Sequence, residues 1–85
     1  MFRVEWSDSA LIDDLCQLYV DHPARRTDIT YASHRVEQML TVSANVLGTE
    51  ISPEGLRKLQ YSPLELVFSV DGNEVEIEKV RWIDN

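Results

Sequence analysis

The sequence predicts an α+β protein in which two helices pack on one face of a largely antiparallel sheet. Three observations predict this class. Apolar and polar residues alternate at the start of the chain, apolar residues then recur at helical spacing, and alternation returns through residues 56–82 between turn signals. The predicted order is an N-terminal strand, an α-helical hairpin and a three-stranded antiparallel meander. Because the chain has 85 residues, we expect residues 1–85 to form one domain.

The first strand and the first helix are predicted from the opening twenty residues. FRVEW, residues 2–6, is apolar at every second position, as in a half-buried strand. Ser7 or Asp8 then offers an N-cap for a helix. The buried stripe of that helix is predicted to hold Leu11, Ile12, Leu15, Leu18 and Tyr19. Asp13 and Asp14 are expected on the opposite, solvent-facing side.

The second helix is predicted to begin after a break at Pro23, which disfavours helical geometry at the preceding residue and suits a first helical turn. The predicted buried stripe consists of Ile29, Ala32, Val36, Met39 or Leu40, and Ser43. We expect the helix to run to about Leu47, before Gly48. The break is so short that the two helices should form an antiparallel hairpin.

Residues 48–55 are interpreted as a connecting loop that leads into three strands. The strands are predicted at residues 56–61, 64–70 and 74–82. Ser62-Pro63 and Asp71-Gly72-Asn73 supply the turns between them. In the middle strand, one face is expected to lie against the helices through Leu64, Leu66, Phe68 and Val70.

The last strand changes phase by one residue. Apolar residues up to Ile77 follow one alternation, and those from Val80 follow the other. One extra residue near Glu78 would form a β-bulge and return the later apolar residues to the core. Such a bulge has two interpretations. It changes the face on which Lys79 and Arg81 lie, or it only relieves twist in a small curved sheet, which is the simpler interpretation.

The composition excludes several classes of function. Fifteen acidic residues against eight basic ones give a net charge of −7, which opposes generic nucleic-acid binding because that requires clustered Lys and Arg. No apolar run approaches the length of a membrane span, and we expect a cytoplasmic protein.

Cys16, the single cysteine, is expected to be a small buried residue. His34 and Glu37 lack the further ligands that a metal site needs, so no metal or cofactor is predicted.

The chain resembles the RelE/ParE superfamily of type II toxin–antitoxin toxins along nearly its whole length. The resemblance is carried by the order and spacing of RVEWSDSALIDDL, SHRVEQML and GLRKLQYSPLELVFSVDGNEVEIEKVRW. It implies two helices on a twisted antiparallel sheet and a cognate antitoxin as partner. The RelE branch cleaves messenger RNA in the ribosome, whereas the ParE branch inhibits DNA gyrase.

The positions implied as catalytic by the RelE branch do not carry its residues. Gln60 stands where a catalytic arginine is expected, and Leu64 and Glu65 replace a tyrosine–arginine pair. RNA cleavage needs a base and cations for the developing phosphorane charge, whereas a glutamate repels phosphate. The resemblance therefore favours ParE over RelE, and no catalytic residue is predicted.

Four residues are candidates for a functional surface. Arg57 matches the arginine that follows leucine in ParE-like members, and Lys79 and Arg81 add positive charge at the end of the sheet. Trp82 is a candidate interface anchor if it is exposed. A surface arginine that only pairs with a nearby glutamate is the alternative interpretation of Arg57.

Three hypotheses of function follow. The first is a ParE-like toxin that acts by protein contact, with gyrase as a target, and that an antitoxin neutralises. The second is a non-toxic interaction module with the same fold. The third is a nuclease with relocated basic residues, which requires Arg57, Lys79 and Arg81 to converge.

Overall fold

The computed structural model describes residues 1–52 and 55–84, and it confirms the predicted α+β class. The first helix consists of a π-helical segment followed by α1, and a 3-10 turn leads into α2. The elements are β1 (Arg3–Trp6), the π-helical segment (Ser9–Leu15), α1 (Cys16–Asp21), the 3-10 turn (Pro23–Arg25), α2 (Arg26–Ser43), β2 (Thr49–Glu50), β3 (Leu56–Tyr61), β4 (Leu64–Asp71) and β5 (Glu74–Trp82).

The strands form one sheet in the order β1-β5-β4-β3-β2. β3, β4 and β5 form the predicted antiparallel meander, and β1 pairs with β5 in parallel. The prediction that residues 48–55 form only a loop is wrong for its first part, because β2 pairs there with β3. Residues 53–54 of that segment lie outside the described residues.

Gly48, which directly precedes β2, allows the chain to pass close to the backbone of β3. Its φ is +69°, and a Cβ built on it would lie 2.3 Å from the carbonyl oxygen of Lys58. Any other residue would therefore require the backbone to move as well as to adopt a left-handed conformation.

The core lies between the helices and one face of the sheet. Its fully or almost fully buried large side chains are Ile29, Val36, Leu40, Leu64, Leu66, Phe68, Val75 and Ile77. The predicted stripe of α2 is confirmed at Ile29, Ala32, Val36 and Leu40. The helix ends at Ser43 rather than near Leu47, because the chain turns there and the Val46 amide donates to the carbonyl of Ser43.

The predicted stripe of the first helix is wrong in its first turns. Leu11 and Ile12 are 43% and 61% exposed, whereas Ala10 and Leu15 are buried. The cause is the π-helical hydrogen-bond spacing of five residues, which places positions five apart on one face. The expectation for Cys16 is also wrong, since this residue is exposed on the same outward side.

The sheet surface opposite the helices is termed the open face. The pairing of the strands arranges its side chains in four rows that run across the sheet. The rows are Gln60–Glu65–Arg81, Lys58–Val67–Lys79, Leu56–Ser69–Glu76–Glu5 and Asp71–Glu74–Arg3.

Candidate functional site

A β-bulge at Glu78 determines which side chains of β5 reach the open face. Val67 of β4 pairs with Lys79 and the next residue, Phe68, pairs with Ile77, so Glu78 is the extra residue. The predicted bulge is therefore confirmed. Because of it, Val80 returns to the core at 5% exposure. Lys79 and Arg81 then lie on the open face.

The N-terminal segment of the chain holds the bulge through three hydrogen bonds. The Val80 amide donates to Asp14 Oδ2 at 2.9 Å. The Ser7 amide donates to the Ile77 carbonyl at 2.9 Å, and Ser7 Oγ donates to the Glu78 carbonyl at 3.4 Å. Pairing between β1 and β5 stops at Ile77, so side chains replace a neighbouring strand beyond that point.

The basic end of the open face is the end that carries Lys58, Lys79 and Arg81. Glu65 is a buried carboxylate at its centre. It is 5% exposed and accepts hydrogen bonds from Arg81 Nε at 2.5 Å and Gln60 Nε2 at 2.8 Å. The hydrogen bond from Arg81, followed by that from Gln60, lowers the pKa of Glu65 from 4.5 to about 2. The Arg81 side chain is 69% exposed, and it contacts Glu65 through Nε. This pair fixes a guanidinium at the sheet surface.

A depression of about 420 Å³ opens beside this pair. Val67 and Lys79 line it on the sheet, and Ser9 and Asp14 of the first helix border it. Lys58 lies in the same cross-strand row as Lys79. The basic end of the open face therefore combines three cations with one carboxylate that is already hydrogen-bonded.

Arg57 lies on the other face of the sheet. It occupies the row of Phe68 and is half-buried, with 18% of its side chain exposed. Its Nε donates to the Leu47 carbonyl at 2.7 Å, and Nη2 donates to the Gly48 carbonyl at 3.2 Å. A carboxylate oxygen of Glu50 lies 3.9 Å from Nη1. Arg57 thus fastens the segment before β2 to β3, a more specific role than an exposed ion pair.

Trp82 also faces the helices. Its ring is half-buried and stacks on His22, with centroids 3.7 Å apart and planes inclined by 10°. The Arg25 guanidinium carbon lies 5.2 Å from the Trp82 centroid, and Arg25 Nη2 binds Asp84 at 2.7 Å. The ring therefore joins the end of β5 to the turn between the helices.

The structure brings Lys79 and Arg81 together but separates them from Arg57 and Trp82. The convergence of Arg57, Lys79 and Arg81 that the nuclease hypothesis requires does not occur. Of the positions compared with the RelE branch, Leu64 is fully buried in the core. Gln60 and Glu65 bind each other on the open face.

Sequence reasoning missed two parts of this site. Asp14 was assigned to the solvent-facing side of a helix, although a bulge predicted at Glu78 leaves backbone groups that need a partner. For Glu65, the sequence indicates a charge that repels phosphate, whereas the structure places Arg81 opposite it because the bulge sets the register. Within residues 1–52 and 55–84, no three His, Cys, Asp or Glu side chains gather as a metal site. No helix in the same ranges is long and apolar enough to cross a membrane.

Comparisons with known proteins identify the fold. No protein-family model and no curated protein matches the chain. A solved structure described as the chromosomal ParDE toxin–antitoxin system from P. aeruginosa is similar to it, with a TM-score of 0.79 and 20% identity. The match covers 99% of this chain and 98% of that one. The chain therefore shares the fold of a chain in that structure over essentially its whole length, and the predicted fold is confirmed.

Proposed function

We propose that this chain is the toxin component of a type II toxin–antitoxin system, that it acts by protein contact, and that a cognate antitoxin neutralises it. The observation that carries this function is the end-to-end similarity to a component of a ParDE toxin–antitoxin system, without insertions large enough to lower the coverage of either chain. DNA gyrase is the first target to test.

The site geometry supports protein contact over RNA cleavage. Leu64, at a position compared with the RelE catalytic pair, is enclosed in the core. Glu65 engages the nearest guanidinium, Arg81, which lowers that cation's capacity to stabilise a phosphorane. The open face offers an exposed Lys79 and the outward part of Arg81 instead.

We further propose different roles for the four candidate residues. Lys79 and Arg81 present the working surface, because both lie on the open face. Arg57 and Trp82 support the fold behind it, because each is engaged with groups on the helical side. Loss of Lys79 should therefore reduce activity without unfolding the protein.

The test is growth of a bacterial host after tightly controlled induction of the chain. We expect arrest with the native chain and weaker arrest with Lys79→Ala. Arg35→Ala is the matched control, because Arg35 is an exposed cation on α2 whose hydrogen bond goes to Gln38. Circular dichroism and soluble yield must be equal for the three proteins.

Two further measurements separate the hypotheses. Relaxed or broken plasmid DNA after induction would indicate gyrase, whereas an early fall in translation rate would indicate the ribosome. Co-expression of a short neighbouring open reading frame should restore growth if it encodes the antitoxin. Normal growth with abundant folded protein would favour the interaction module.

A further inference from the structure

The open side of β5 has its charges separated by sign along the strand. Glu74 and Glu76 come first, and Lys79 and Arg81 follow. In an unbroken strand the spacing from Glu76 to Lys79 would place the two pairs on opposite faces. The bulge at Glu78 places all four on the open face.

Neighbouring strands extend both ends of this pattern. The row of Glu74 includes Asp71 and Arg3, and the row of Glu76 includes Glu5, whose carboxylate lies 3.1 Å from Arg3 Nη2. At the other end, Lys58 shares the row of Lys79. Apart from the pair of Arg3 with Glu5, these like-charge neighbours are unfavourable within one sheet, so most of the charges gain little for the isolated fold.

We propose that two copies of this chain associate through their open faces, with β5 of one copy antiparallel to β5 of the other. A two-fold axis that runs across the strands at the bulge would turn each acidic end onto the partner's basic end. Glu76 would then face the partner's Lys79, and Glu74 would face the partner's Arg81. A two-fold interface must be self-complementary in this way.

The open face fits a second copy for two reasons. The sequence Glu, Glu, Lys, Arg is its own complement when reversed, so β5 supplies both halves of its own pairs. On β4, Glu65 would face the partner's Asp71, but its charge is already balanced by Arg81. On β4, Val67 and Ser69 lie beside Lys79 and Glu76 in the two central rows, and they are half-buried side chains of modest size that allow two sheets to approach. The overall charge of −7 repels identical chains, so attraction must come from this local pattern.

The size of the face predicts a weak dimer. Four rows and four strands span about 20 Å by about 15 Å. The area of such a rectangle is well below the roughly 800 Å² that each partner of a standard stable interface buries. We therefore expect a dissociation constant above about 1 μM and strong sensitivity to salt.

The test measures mass by sedimentation equilibrium from about 10 μM to about 1 mM protein, in about 0.1 M and about 1 M salt. The native chain should dimerise at the lower salt, and its dissociation constant should rise at least about tenfold at the higher salt. A native chain that stays monomeric at about 1 mM in about 0.1 M salt would overturn the dimer.

Charge swaps make the test specific. Lys79→Glu and Glu76→Lys should each abolish dimerisation, since each creates two repulsive pairs across the axis. The double variant Glu76→Lys/Lys79→Glu should restore it, and the two single variants should form a heterodimer when mixed. Failure of both restorations would exclude the proposed pairing.

Matched controls separate pairing from net charge. Arg35→Glu on α2 changes the net charge by the same amount as Lys79→Glu. Asp13→Lys on the first helix changes it by the same amount as Glu76→Lys. Both positions are exposed on the helical side, so dimerisation should persist. If Arg35→Glu disrupts the dimer as strongly as Lys79→Glu, the open face is not the interface. These measurements need only purified protein, so their outcome does not depend on whether the chain is toxic.

Discussion

The two halves of β5 are held in different ways. Glu74–Ile77 lies between two strands, with β1 on one side and β4 on the other. Beyond the bulge, Val80 and its neighbours pair with β4 alone, and Asp14 binds the Val80 amide on the other side. The first half is supported by backbone ladders, whereas the second depends on individual side chains.

The difference teaches how a small sheet can change phase without losing its core. A bulge between two full ladders would disrupt both, but here the neighbouring ladder with β1 has already stopped at Ile77. Ser7 and Asp14 then satisfy backbone groups around the extra residue. Single substitutions should therefore damage the second half locally, while a shift of register after the bulge should damage the core.

The largest effect should come from inserting one alanine between Glu78 and Lys79. The inserted residue lets the strand alternate regularly, so Lys79 and Arg81 keep the open face, but it shifts the later residues by two positions along β4. The alanine then takes the core position of Val80, and Val80 takes that of Trp82. Two smaller side chains in the core cost several kcal/mol, against a total stability of about 4 to 13 kcal/mol for a chain of this length. We expect a marked loss of stability in urea titration.

Deletion of Glu78 is the matched comparison for that insertion. It leaves Glu76, Ile77 and Lys79 in regular alternation, so every side chain keeps its face. The deletion variant should remain folded, although it loses the contact between Ser7 Oγ and the Glu78 carbonyl. Equal damage from insertion and deletion would show that the bulge itself, rather than the register of the later residues against β4, is essential.

An intermediate effect is expected from Asp14→Ala. The variant leaves the half-buried Val80 amide without its acceptor, which should lower the free energy of unfolding by about 1 to 3 kcal/mol in urea titration. Amide hydrogen exchange should accelerate at Val80 more than at Val75, which lies in the doubly paired half. Asp13→Ala, at the exposed neighbouring position, should change stability by less than about 0.5 kcal/mol.

The smallest effect should come from Glu65→Gln, because its ion-pair partner Arg81 is 69% exposed to screening solvent; this effect should be complete at neutral pH and should disappear in acid. The pKa of Glu65 is lowered in the folded state to about 2 from 4.5. Its ionised form therefore stabilises the fold above pH 4.5, and that contribution is lost as the pH falls from 4.5 towards 2. Native protein should lose more stability over this interval than Glu65→Gln in urea titrations at each pH. Parallel losses would show that the pair with Arg81 contributes little.

Helices and strands could be predicted from the sequence wherever apolar residues recurred with one period over many residues. The stripe of α2 and the alternation of β4 are of this kind, and the phase change in β5 was visible as a break in alternation. The π-helical segment was missed because its spacing of five residues is absent from the helical pattern that placed Leu11 in the core. β2 was missed because two polar residues are too short for any period.

The site was less predictable because it depends on the register between strands. Lys79 and Arg81 could be assigned to one face once the bulge was assumed, but the pairing of Arg81 with Glu65 follows from the alignment of β4 with β5. Arg57 shares the face of Leu59, two residues away, and its backbone partners come from a segment that the sequence presented as loop. Local patterns do not contain such distant contacts.

The position of β5 in the sheet has a consequence for biosynthesis. β1 is made first, yet its strand neighbour in the sheet is β5, which is made last among the described elements. While the ribosome is still translating the meander, β1 has no edge to join, and the two helices cover an unfinished core. Because such distant pairings form slowly and late, the nascent chain should reach its folded shape only after β5 has emerged from the exit tunnel. Under the proposed toxin function, this delay would give a binding partner already present in the cell time to meet the incomplete chain.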